Sequence, residues 1–233
     1  VREERLCIAL DFGTREEILA AADRFGAKVG WLKIGLEAFT ALGPEIVSEV
    51  AECGARVFLD VKLHDIPTTV ARAVAAAARS GAAMLNVHAF GGREMLTAAR
   101  EAAGTGDDAP TLVAVTLLTS LDPSALADLP VTGNPEGIAR RLAVLAQECG
   151  LEGVVCAPRD LAAVRGACGA TFLTVVPGIR PAGSASFDQK RIATPSAALA
   201  AGADLLVVGR PVTAAPDPDA ALESVIAEIQ SPP

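Results

Sequence analysis

The stretch VFLDVKLHDIPTT, residues 57 to 69, decides how the chain is read. Val57, Phe58 and Leu59 are bulky or β-branched and lead to a Pro-Thr turn signal, the pattern of a buried strand ending near Lys62. Strand side chains alternate faces, so Asp60 and Lys62, at i and i+2, project together from the strand's carboxyl end, with Asp65 just beyond in the loop. An Ala-rich amphipathic segment near 68 to 80 follows, then Gly81, then a second apolar run, MLNVHA, at 84 to 89. Strand, helix, glycine and strand make one unit of a parallel sheet covered on both faces.

The same unit recurs along the chain. Apolar runs at LCIALD (6 to 11), WLKIG (31 to 35), RVFLDVK (56 to 62), MLNVHA, LVAVTLL (112 to 118), GVVCA (153 to 157), TFLTVV (171 to 176) and DLLVVG (204 to 209) make eight strands. Helix-like stretches lie near 14 to 25, 37 to 53, 68 to 80, 92 to 103, 135 to 149, 158 to 167, 195 to 201 and 217 to 229. Thr14 with Glu17 resembles a capping box, and Thr194-Pro195 and Asp217-Pro218 place a cap before an N1 proline. Gly26, Gly54, Gly81, Gly150 and Gly202 stand between helix and strand, where a left-handed residue is wanted. Eight such units in 233 residues predict a single α/β domain over 1–233, a (β/α)8 TIM barrel. An open doubly wound sheet is the alternative, weakened because neither GxGxxG nor GxxxxGK[ST] follows any strand.

Composition narrows the class of function. Hydrophobic residues make up 51% and charged residues 21%, ample for a core. A net charge of -8 argues against nucleic acid as a partner, because phosphate backbones are held mainly by Lys and Arg. Cys7, Cys53, Cys149, Cys156 and Cys168 form no CxxC pair and only two histidines accompany them, so no metal site is expected. Their scatter fits buried free thiols in a reducing compartment. With neither a signal-like leader nor a membrane-length apolar run, a cytoplasmic protein with no membrane partner is expected.

In barrels of this kind the chemistry sits at the carboxyl ends of the strands. Here those ends carry Asp11, Lys33, the Asp60 and Lys62 pair, His88, Thr119-Ser120, Arg180 and Gly209-Arg210. Lys33 and Lys62 lie among apolar residues and need acidic partners, for which Asp11, Asp60 and Asp65 are at hand. Phosphate sites in barrels favour the loops after strands 7 and 8. VVPGIRP (175 to 181) and VVGRPVT (207 to 213) each offer glycine for close backbone approach and arginine for charge-assisted hydrogen bonds. A strand-end histidine is more often packing than base, so His88 stays outside the catalytic set.

Taken together, DVKLHDIPTT, VTLLTS, PGIRP, DQKR and VVGRPVT resemble the orotidine 5'-phosphate decarboxylase family, in its order and over nearly the whole chain. The resemblance implies cofactor-free decarboxylation of orotidine 5'-monophosphate to uridine 5'-monophosphate. It implies that Lys62 stabilises and protonates C6, that Asp60 lies beside the departing carboxylate, and that Lys33 and Asp65 complete the charge array. It assigns Asp11 and Lys33 to the ribose hydroxyls, Thr119 and Ser120 to the pyrimidine, and Arg180, Gln189, Gly209 and Arg210 to the phosphate side. Asp65 and Thr69 are implied to serve the partner's site in a homodimer. The family most often has Asn where this chain has Thr68, a change that keeps a hydroxyl but loses an amide. No added phosphoribosyltransferase domain is seen, so the preceding step is expected elsewhere. Two other readings remain open: a metal-dependent sugar-phosphate enzyme of the same suprafamily, and a non-catalytic barrel that binds uridine nucleotides.

Overall fold

The computed structural model describes residues 2–181 and 193–231. Among them, eight parallel strands pair in chain order and the eighth returns to the first, closing a barrel. The strands are β1 (Glu3–Ala9), β2 (Val29–Gly35), β3 (Arg56–Leu63), β4 (Met84–His88), β5 (Thr111–Val115), β6 (Gly153–Val155), β7 (Leu173–Val176) and β8 (Leu205–Val208). The helices are α1 (Arg15–Phe25), α2 (Leu36–Leu42), α3 (Glu45–Glu52), α4 (Pro67–Ala78), α5 (Gly92–Ala103), α6 (Pro123–Leu126), α7 (Pro135–Glu148), α8 (Leu161–Cys168), α9 (Pro195–Ala200), α10 (Arg210–Thr213) and α11 (Pro218–Gln230). This is the (β/α)8 barrel that the strand-helix alternation predicts.

Period-two alternation divides the strands between two cores. Leu6, Ile8, Leu32, Ile34, Val57 and Leu59 pack in the layer between barrel and helices. Cys7, Ala9, Trp31, Phe58, Met84, Val113, Val175 and Val207 fill the barrel interior. Both faces are therefore apolar, which is why the strands read as continuous apolar runs. Toward the carboxyl ends the inward positions turn polar. Lys33 follows Trp31, Asp60 follows Phe58, and Asn86 follows Met84, each two residues on, in strands registered Lys33 to Phe58 and Phe58 to Met84.

Local signals hold in most places. Oγ1 of Thr14 accepts from the Glu17 N–H at 3.3 Å, Thr194 caps α9 through Ala197, and Asp217 accepts from both Asp219 and Ala220. Gly54, Gly81, Gly150 and Gly202 have positive φ, as expected. Gly26 does not: its φ is -56°, and a Cβ there would lie 2.8 Å from the Ala22 carbonyl oxygen and 3.0 Å from that of Cys53. Close approach, not handedness, requires that glycine. The helix expected over 37 to 53 breaks into α2 and α3 at Gly43-Pro44. Gly43 is left-handed at φ +75°, and Pro44 has no N–H with which to continue the ladder. The run at 112 to 118 leaves the sheet after Val115, and Leu117 packs instead with Leu126 and Ile138.

Candidate active site

Acid and base alternate across the mouth of the barrel. Nζ of Lys33, on β2, lies 3.0 Å from Oδ1 of Asp11 and 3.4 Å from Oδ2 of Asp60. Nζ of Lys62, on β3, lies 2.6 Å from Oδ1 of Asp60. The side chains of Lys33 and Asp60 are only 10% and 15% exposed, so these charges interact with little screening by water. Burial alone would raise the Asp60 pKa, but Lys33 and Lys62, with hydrogen bonds from Lys62 and Asn86, bring it below its ordinary value. Burial would likewise lower that of Lys33, but Asp60 and Asp11 raise it overall. Both groups are held charged at neutral pH. Gly35 makes room for them, since a Cβ there would lie 3.0 Å from Oδ1 of Asp11 and 3.1 Å from Nζ of Lys33.

Asp60 and Lys62 meet as strand alternation predicts, yet β3 is irregular between them. Lys62 has φ +51°, the one positive φ at a non-glycine among the described residues. The pairing with β4 slips at the same place, from Leu59 opposite Leu85 to Leu63 opposite Val87. A left-handed residue with a Cβ costs about 1–2 kcal/mol, and such strain persists only where surrounding contacts hold it. Here the backbone N–H of Lys62 donates to Oδ1 of Asn86 at 2.7 Å, and Nδ2 of Asn86 donates to Oδ1 of Asp60 at 2.6 Å.

One cavity opens on this array. Its lining brings together Asp11, Lys33, Asp60, Lys62, Thr119, Gly178, Arg180, Gly209 and Arg210, over apolar walls that include Phe58, Leu117 and Val207. In the loop after β7, Gly178 is left-handed at φ +82°, and the Arg180 N–H donates to the Ala193 carbonyl at 2.9 Å. The Arg180 side chain is buried, with Nη1 donating to the Ile179 carbonyl. After β8, Gly209 is the N-cap of α10 and lies beside the end of β1, where a Cβ would meet that of Ala9 at 3.4 Å. Arg210 is exposed at the cavity edge.

Three expected residues do not line this cavity: Asp65, Thr69 and Ser120 are exposed. Oδ1 of Asp65 accepts from the Ile66 N–H at 2.6 Å. Gln189 lies outside the described residues. His88 also stands apart from the lining, stacked on His64 at 5.5 Å between ring centroids. Burial, with smaller contributions from His64 and Lys62, pushes its pKa down to about 4, and its Nδ1 accepts a hydrogen bond from the Phe90 N–H, as a neutral ring can. Asn86 and Gly35 are the residues that sequence reasoning missed. Asn86 was legible in principle: Met84, Asn86 and His88 form the inward face of their strand at the same period as Phe58, Asp60 and Lys62.

The family model described as Orotidine 5'-phosphate decarboxylase / HUMPS family matches residues 4–225. The orotidine 5'-phosphate decarboxylase of Escherichia fergusonii is 51% identical over 231 residues, covering 99% of this chain and 94% of that protein. That of Nitrosococcus oceani is 48% identical, covering 99% of this chain and 100% of that one. The crystal structure of orotidine 5'-phosphate decarboxylase from Lactobacillus acidophilus matches with a TM-score of 0.85 at 33% identity, over 98% of this chain and 100% of that chain. The likeness runs from the first strand into the last helix and takes in every strand that carries a member of the charge array, so the chain belongs to the orotidine 5'-phosphate decarboxylase / HUMPS family.

Proposed function

We propose that this protein is a carboxy-lyase that decarboxylates orotidine 5'-monophosphate to uridine 5'-monophosphate without a cofactor, the last step of pyrimidine nucleotide synthesis. The observation that carries the reading is the Lys62 ammonium, 2.6 Å from Asp60, whose side chain is only 15% exposed, in the cavity that Arg180 and Arg210 also line. The family and the names of its relatives support the substrate. Breaking the bond from C6 to the carboxylate releases CO₂ and leaves the electron pair on a ring carbon with no conventional electron sink. A fixed ammonium stabilises that charge as it develops, with no water to reorganise. Lys62 then gives its proton to C6 and regains one from solvent. Asp60 holds the ammonium and faces the departing carboxylate. Two unit charges about 4 Å apart interact by roughly 4 kcal/mol at an effective dielectric of 20, so repulsion there adds to carbanion stabilisation without replacing it.

In the same reading Asp11 and Lys33 hold the ribose hydroxyls, Thr119 and Ser120 the pyrimidine, and Arg180, Gln189, Gly209 and Arg210 the phosphate. Asp65 and Thr69 serve the neighbouring site of a homodimer. Their exposure supports this, as does Ile66 between them, an apolar side chain left 66% exposed. The enzyme works in the cytoplasm. The deciding assay follows the absorbance of orotidine 5'-monophosphate in the presence of EDTA. Loss of absorbance, abolished in Lys62→Ala, is expected. Turnover only of a sugar phosphate with Mg²⁺, or tight uridine-nucleotide binding without turnover, overturns the reading.

A further inference from the structure

Asn86 is fully buried and is not part of the cavity lining. A buried amide must satisfy both its carbonyl and its NH₂. Its partners fix which way it points: the Lys62 backbone N–H can only donate and the ionised Asp60 carboxylate can only accept, so the oxygen faces Lys62 and the nitrogen faces Asp60. Oδ1 of Asp60, which receives that NH₂, is the oxygen that also receives Nζ of Lys62 at 2.6 Å. A closed ring results, running from the Lys62 backbone through Asn86 and Asp60 back to the Lys62 side chain.

We propose that Asn86 is a positioning residue, which pins Lys62 in its left-handed backbone conformation and orients Asp60, so that the ammonium is presented at a fixed place in the cavity. The proposal rests on the decarboxylase reading and adds a residue to it. The slip between β3 and β4 coincides with this clasp, which joins the two strands through side-chain hydrogen bonds where their regular ladder is interrupted.

Asp60 is faced by Lys62 on its own strand, by Lys33 on β2 with Asp11 behind it, and by the buried Cys7 of β1. His88 at the end of β4 and His64 after β3 lie near Lys62. Asn86 adds a neutral donor that favours the ionised carboxylate, so losing it moves the Asp60 titration upward.

The test uses Asn86→Leu, close in volume and unable to hydrogen-bond, with Asn86→Ala as the second variant should the first not fold. Wild-type turnover decides the decarboxylase reading by itself. Given turnover, the variants should lose roughly 100-fold in kcat with KM within about threefold, as expected when a reacting group is misplaced and binding contacts remain. The acidic limb of the pH profile of kcat/KM should move up. In the ligand-free protein the ¹³C carboxyl titration of Asp60 should also move up, which tests the clasp without any turnover. Unchanged kcat and unchanged Asp60 titration overturn the proposal. So does a variant that is only less stable, with kcat and KM worsening together while Asp60 titrates as in wild type.

Discussion

Lys33 and Asp60 are ionisable side chains that burial opposes and pairing keeps charged, and this gives their contribution to stability a definite sign with pH. The Asp60 pKa is below its ordinary value in the fold, so its stabilisation is fully present above the unfolded value of about 3.9 and is lost as pH falls through the lower folded value. The Lys33 pKa is raised, so its share is present below the unfolded value of about 10.4 and is lost as pH rises through the folded one. Asp60→Asn should therefore flatten the fall in Tm below about pH 4 relative to wild type. Lys62 allows a sharper test, because its positive φ reverses a common rule. Lys62→Gly and Lys62→Ala both remove the ammonium and both should be inactive, but glycine should be the more stable in urea by up to about 1 kcal/mol, since only alanine keeps a Cβ in the left-handed region. At this scale the sequence made the Asp60 and Lys62 pairing legible from i, i+2 spacing alone. Asn86 was harder to see, because its partners are fixed by a slipped register between two strands and not by spacing along one.

Among elements, β6 is three residues long and its first residue is glycine for a reason of contact. A Cβ on Gly153 would lie 2.3 Å from the Leu173 carbonyl oxygen and 2.6 Å from the Leu173 Cβ, which forces β6 and β7 apart. Gly153→Ala should destabilise the protein by about 1–3 kcal/mol, read as a lower urea midpoint. All eight strands were visible as apolar runs because a barrel strand is buried on both faces. Helix boundaries were less so: α2 and α3 share one amphipathic pattern that only Gly43-Pro44 interrupts. The four-residue helices α6 and α10 are too short to show a period at all.

Over the whole molecule, the regular alternation of strands and helices, with no glycine-rich nucleotide loop to favour an open sheet, pointed to the barrel, and the structure gathers Asp11, Lys33, Asp60, Lys62, Thr119, Arg180, Gly209 and Arg210 around one cavity. What no single chain can display is a residue that acts on a neighbour. Asp65 and Thr69 are exposed and apart from that cavity, which suits a role in trans. Mixing inactive Asp65→Ala with inactive Lys62→Ala should then restore part of the activity, because a mixed dimer holds one site with both groups intact. No recovery after confirmed subunit exchange would count against shared sites.

The pairing of β8 with β1 joins Leu6 to Leu206 and Ile8 to Val208. During synthesis, about 200 residues must emerge between those partners, on the order of 10–40 s at ribosomal speed. Throughout that interval β1 has no partner on one side, an open strand edge of the kind that invites pairing with other chains. Asp11 meanwhile waits for the Gly209 loop that completes its surroundings. The cavity thus cannot be complete before β8 and the Gly209-Arg210 loop have been made, with only α11 still to follow.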